Sequence, residues 1–253
     1  MKLKYLPLTF ATILLVCLPS FNNSYVLARA PAPSGSSDSN TSLAGQVKFE
    51  GSLPKPAVIN MTSDPKCAMQ HKGTVMADDV VSGTGGGLEN VIVFVVSGLG
   101  TRTFDVPSNP VTIQQKGCMY SPHVVALQTN QKLEVLNSDN TSHNIHPTPA
   151  HNREWNKFQP PGSPLEETFA REEVAIPVRC NLHPWMHSYI AVFDHPFFAV
   201  TGKDGAFQLP SLPPGEYTLE AWHERLGTLT QKITIAPGET KKIDFVFKTK
   251  TAG

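Results

Sequence analysis

The sequence has no excess of either charge. Its 21 lysines and arginines are matched by 21 aspartates and glutamates, which leaves no basic surplus to neutralise phosphates and excludes nucleic acid as a partner. Sustained helical periodicity is also missing: no stretch repeats apolar residues at helical spacing over several turns, so a helical bundle is excluded. Long apolar runs are absent. The stretch from Leu6 to Leu18 is short, broken by Pro7 and bounded by Pro19, and no membrane span is expected in the mature chain. The glycine-rich "SGTGGGLENV" (82–91) is followed by no Lys-Ser or Lys-Thr and runs into a strand, which excludes a phosphate cradle and leaves a flexible connection. Cysteine is scarce, with four in 253 residues.

What is present begins with a leader. Lys2 and Lys4 precede the apolar run, and small residues follow in "SYVLARA", the layout of a secretory signal peptide cleaved after Ala28 or Ala30. Cys17 resembles a lipoprotein processing site, but Val16 is bulkier than the small residue such a site needs. The next segment, "PAPSGSSDSNTS" (31–42), is too polar to bury a core and reads as a disordered linker. The protein is therefore expected to be secreted or periplasmic, where disulfides persist. Cleavage leaves Cys67, Cys118 and Cys180. An odd number cannot all pair, and Cys180 sits among histidines and a methionine, so a Cys67–Cys118 bridge with a free Cys180 is expected. The competing reading is a metal site from Cys67, His71, Cys118 and His123.

From Leu43 onward the chain reads as short strands between turns: "QVKFE", "NVIVFVV", "KLEVLN", "EVAIPV", "YIAVF", "YTLEAW", "QKITIA" and "KIDFVF". An all-β fold of sandwiches follows. Near the carboxy terminus, "DGAF" at 204–207 and "LPPGEY" at 212–217 resemble the carboxypeptidase regulatory-like domain, a small transthyretin-like sandwich. The opening strands that this family carries lie far upstream here, in "GQVKFEG" (45–51) and "LENVIVFVV" (88–96). The expected organisation is a signal peptide (1–30), a linker (31–42), and one sandwich made from 43–100 and 196–253. A second sandwich (101–195) is inserted between those two parts.

The inserted part holds "CNLHPWMH" (180–187), preceded by "HNIH" (143–146). Thiolate, thioether and imidazole together suit copper, notably a trigonal two-His, one-Cys site with a weak axial Met. On these two motifs, residues 111–195 resemble the type 1 (blue) copper proteins of the cupredoxin family, amicyanin- and plastocyanin-like, with a Greek-key β-sandwich. The resemblance implies one type 1 copper held by His143, Cys180, His183 and Met186. It also implies that Asn144 ties the two ligand loops together and that Pro184 and Trp185 form an apolar patch for electron exit to a redox protein partner.

His146 competes with His143, which is favoured because it directly precedes the asparagine. His187 competes with Met186, although adjacent residues of an extended loop point apart. Structural zinc on His143, Cys180, His183 and His187 is a further option. A Cys-His nucleophile lacks an identifiable orienting residue and oxyanion hole, and "AWHERLG" lacks the second histidine of a zinc-protease helix. His223 in that segment reads as a surface or interdomain residue. No enzymatic activity is expected. The expected function is carriage of single electrons, the alternative a copper-binding or surface-interaction module without that role.

Overall fold

The computed structural model describes residues 41–249; the expected signal peptide, Cys17 and most of the expected linker lie outside the described residues. The first segment supplies β1 (Ser42–Glu50), β2 (Val58–Ile59), a single helical turn α1 (Pro65–Ala68), β3 (Val75–Met76) and β4 (Ile92–Ser97). The middle carries β5 (Val111–Lys116), β6 (Met119–Ser121), β7 (Val124–Gln128), β8 (Leu133–Asn137), β9 (His143–Pro147), β10 (Lys157–Gln159), β11 (Leu165–Glu167), β12 (Glu173–Arg179) and β13 (His187–Phe193). The last segment adds β14 (Phe198–Val200), β15 (Ala206–Leu209), β16 (Gly215–His223), β17 (Gly227–Ile235), β18 (Thr240–Lys242) and β19 (Phe245–Lys248). The fold is all-β, as the turn-punctuated sequence predicts.

Two sandwiches result. In the middle one, the sheet β10-β9-β12-β13-β7 faces the sheet β11-β8-β5-β6 across a core that includes Ile113, Leu133, Ile145, Ile176 and Ile190. In the other, β14-β4-β16-β17 faces β1, which is flanked by β15 and β18 and also pairs with β19, over Val47, Val93, Leu219 and Phe245. Strands from the first segment are thus hydrogen-bonded to strands of the last: β1 to β15, β18 and β19, and β4 to β14 and β16.

The near-continuous apolar runs have a specific cause. Successive side chains of a strand point to opposite faces. In β4, Val93 and Val95 enter the core of the outer sandwich, whereas Ile92 and Phe94 meet Val124, Ala191 and Phe193 of the middle one. β13 mirrors this, sending Ile190 and Val192 into its own core. Both strands are buried on both faces, and their outward residues weld the sandwiches together.

Two local expectations change. "KIDFVF" is not one strand: β18 ends at Lys242 and β19 begins at Phe245, because the Asp244 carboxylate accepts the Gln46 amide at 2.9 Å and interrupts the ladder. The glycine-rich stretch is a packed crossing, not a flexible connection. A Cβ at Gly83 would sit 1.8 Å from the Lys203 carbonyl oxygen and one at Gly87 2.1 Å from that of Asp204, so only glycine admits this approach.

His223 is buried at 1% exposure. Its Nδ1 accepts the Arg225 amide at 3.1 Å and its Nε2 has no partner. Burial, aided by the positive charge of His123, holds its pKa down to about 4. The unfolded chain takes up that proton near pH 6.5. This contribution to stability is therefore complete above pH 6.5 and is lost as pH falls towards 4, on the order of 3 kcal/mol. Urea midpoints should drop between pH 7 and 4.5, and His223→Gln should flatten that dependence.

Candidate metal centre

The centre is built at one end of the middle sandwich, where β8 leads into β9 and β12 into β13. Asn137 shapes the first loop: its Nδ2 donates to the Thr141 and Gln159 carbonyls at 2.9 and 3.0 Å, and its Oδ1 accepts the Asp139 amide at 3.0 Å. That turn delivers His143 into the core with no exposed surface. The second loop closes on itself. The Cys180 amide donates to the Met186 carbonyl at 3.1 Å, and the Met186 amide to that of His183 at 2.9 Å.

The ligand atoms of His143, Cys180 and His183 lie within 4.8 Å of one another. His143 Nδ1 is 2.9 Å from His183 Nδ1, and Cys180 Sγ is 3.7 Å from His183 Nδ1. The outer nitrogens are fixed by carboxylates: His143 Nε2 by Asp139 Oδ2 at 2.8 Å and His183 Nε2 by Asp64 Oδ2 at 2.9 Å. An ionised carboxylate only accepts, so both Nε2 atoms donate, and in the neutral rings both Nδ1 atoms present lone pairs. Two acceptors facing each other beside a thiol repel unless a shared cation satisfies them. This arrangement fits a soft, imidazole-binding metal ion such as copper.

Protonation follows from the surroundings. Burial pushes the Cys180 thiol up, but His143 and the amides of Asn144, His183 and Leu182 outweigh it and bring its pKa down to about 7. Burial likewise raises Asp139, and hydrogen bonds from His143 and the amides of Cys118 and Gly117 overcome it, so the carboxyl titrates below its ordinary value. Those two amides reach Asp139 at 2.8 and 2.7 Å.

Asn144 spans both loops. Its Oδ1 accepts the Asn181 and Leu182 amides at 2.6 and 3.3 Å and lies 3.4 Å from Cys180 Sγ, while its own amide approaches that sulfur at 3.5 Å. Asn144→Ala leaves the two part-buried amides of Asn181 and Leu182 without their acceptor, a cost of about 1 kcal/mol, and should weaken copper held at this centre about 10–100-fold. Chemical denaturation and a competitive chelator titration check the two numbers.

Met186 is fully buried in the same core cluster as Cys180. The competing histidines lie elsewhere. Three positions along a strand reverses the face, and His146 points away from His143 to Asn181 Oδ1 and Glu154 Oε1, at 3.1 and 2.7 Å. His187 Nδ1 engages the Trp185 carbonyl at 3.1 Å, and its ring packs edge-on against His123. Cys67 and Cys118 are disulfide-bonded and Cys180 is free, which removes the alternative Cys67, His71, Cys118 and His123 metal set.

The exit patch differs from the expectation. Pro184 is exposed, but His183 is only 4% exposed and its outer edge is covered by Asp64. Trp185 Nε1 donates to the Cys118 carbonyl at 3.0 Å. The segment that carries Asp64 also sends Met61 and Cys67 into the middle core, so it roofs the ligand loops. Asp64 is 119 residues from its partner and no local pattern announces it. Asp139, four residues before His143, was within reach of a spacing argument.

Residues 190–248 match the family model of the carboxypeptidase regulatory-like domain. No curated protein matches the chain. Among solved structures, it is similar to a copper-containing nitrite reductase from Thermus scotoductus at 19% identity and a TM-score of 0.33, covering 39% of this chain and 25% of that one. A purple cupredoxin from Nitrosopumilus maritimus is 22% identical, with 32% of this chain, 97% of that chain and a TM-score of 0.28. Amicyanin from Paracoccus versutus is 17% identical, with 40%, 96% and 0.31. Scores this low carry no functional inference.

Proposed function

We propose that the protein is an exported electron carrier that binds one type 1 copper ion through His143, Cys180, His183 and Met186. The observation that carries this reading is the convergence of two imidazole lone pairs on one thiol, with both outer nitrogens held by Asp139 and Asp64. Bound copper supplies a one-electron couple. The chain's part is to hold the donors in place beforehand, so that little rearranges when charge changes. Asn144 directs hydrogen bonds at the Cys180 sulfur, the lever that sets a potential in such sites. With four protein donors no position is left for a substrate, which favours carriage over catalysis.

The Cys67–Cys118 bridge supports an oxidising compartment. The pairing of β1 and β4 with carboxy-terminal strands supports one sandwich from 43–100 and 196–253 with 101–195 inserted. Docking of a redox partner is assigned to the exposed Leu182 and Pro184 beside Asp64, a small apolar face with a negative charge that suits a partner with a basic rim.

A second reading rests on that roof: with His183 covered, the metal serves folding or sensing and the chain is a copper-binding module. Voltammetry of the copper-loaded chain separates the two. Fast reversible one-electron cycling is expected, and a silent site would favour the module.

A further inference from the structure

A second cluster of metal-binding side chains lies outside this centre. We propose that Asp78, His123 and His187 form a separate site for a divalent transition-metal ion of the zinc type, with Glu224 orienting His123. The proposal does not rest on the copper reading.

The four residues come from four segments: Asp78 after β3, His123 just before β7, His187 at the start of β13 and Glu224 after β16. The ligand atoms of Asp78, His123 and His187 lie within 4.8 Å of one another. His123 is the buried centre at 5% exposure. Its Nε2 is hydrogen-bonded to Glu224 Oε1, and Glu224 Oε2 lies 3.9 Å from His187 Nε2. A carboxylate behind one imidazole nitrogen fixes the ring and turns the other nitrogen's lone pair outward, the usual support for a metal-ligating histidine.

That other nitrogen, His123 Nδ1, is 3.2 Å from Asp78 Oδ1, yet neither atom has a hydrogen-bond partner. The distance suits an ion pair, but the alignment does not suit a proton between them. Two buried, unpaired polar atoms aimed into one space are costly. A cation bound to both removes the cost. The His187 ring stands at right angles to His123 with centroids 5.1 Å apart, which places a second imidazole at the same point. Two imidazoles and one carboxylate are a common zinc donor set, with a fourth position left for water.

The plainer alternative is an ion triad, with protonated His123 between two carboxylates. Burial lowers the pKa of His123, but Asp78 and Glu224 outweigh it and raise it to about 9, so the metal-free site holds a proton that the ion displaces. The negative field also favours a dication, since nearby Asp79 adds a third carboxylate, partly offset by Arg225 at 3.5 Å. Entry is open: the Asp78 and His187 side chains are 30% and 37% exposed. His187 follows Met186, so the two adjacent side chains point apart across the backbone and the sites stay distinct. With His123 and His187 on the middle sandwich and Glu224 on the outer one, the hydrogen bond that orients His123 also links the two.

The test is zinc alone, offered to the full mature chain. Crystals soaked in Zn(II) should give an anomalous peak at the zinc edge about 2 Å from His123 Nδ1 and Asp78. In a Cys180→Ala background, equilibrium dialysis should retain that zinc. Adding Asp78→Asn or His123→Gln should weaken it at least about 10-fold, and if His123→Gln misfolds, His187→Asn replaces it. A peak confined to Cys180 and its neighbours, or zinc retention unchanged by Asp78→Asn and His187→Asn, would overturn the proposal and leave an ion triad only.

Discussion

Cys180→Ser should abolish the intense visible band expected of the Cu(II)-loaded chain, and weaken copper binding by at least about 100-fold. The reason is chemical before it is structural. A thiolate is the soft donor of the set, and a pKa brought down to about 7 keeps much of Cys180 ionised at neutral pH. A serine hydroxyl is neither ionised nor soft there. The fold should survive, because the hydroxyl can keep the contacts that the sulfur makes with Asn144 Oδ1 and the Asn144 amide. A stability change of about 1 kcal/mol or less is expected for such a conservative, hydrogen-bonded replacement. His146→Ala is the control, since His146 faces Asn181 and Glu154, away from the centre; its copper spectrum should match that of the unaltered chain. If Cys180→Ser kept the band, the sulfur ligand would be assigned wrongly.

The second large effect belongs to the Cys67–Cys118 bridge. The two cysteines are 51 positions apart, and closing a loop of that length restricts the unfolded chain by about 4 kcal/mol. For a chain of this size the loss corresponds to a melting temperature lower by about 10 °C. The paired replacement Cys67→Ala with Cys118→Ala, or reduction of the unaltered chain, should show that drop in a thermal melt. The bridge also tethers the roof. Asp64 caps α1, accepting the amides of Lys66 and Cys67, and holds His183 from the same loop. Releasing Cys67 frees the carboxylate that fixes the outer edge of His183, so copper should leave faster as well. A melt changed by less than about 1 kcal/mol would deny the bridge its structural role.

Legibility in the sequence followed the range of the interactions. The strands announced themselves through β-branched runs, and "NVIVFVV" and "YIAVF" lacked alternation because β4 and β13 are buried on both faces. Cys180, His183 and Met186 were readable as a group since one short loop carries all three. His143 was separable from His146 by its place before Asn144. Remote pairings were not readable. Nothing local connects Asp64 with His183, or Asp78 and Glu224 with His123; the topology of two joined sandwiches brings them together. The break in "KIDFVF" depended on one side-chain hydrogen bond from Asp244 to β1. The glycine-rich stretch misled because composition suggests mobility, whereas Gly83 and Gly87 lie against the backbone of the Lys203–Gly205 turn.

X-ray absorption at the copper edge tests the central claim most directly. The copper-loaded chain should show one sulfur and two imidazole nitrogens as its near neighbours, with the sulfur lost in Cys180→Ser. A shell of nitrogen and oxygen alone would contradict the assignment of His143, Cys180 and His183 to a single copper ion.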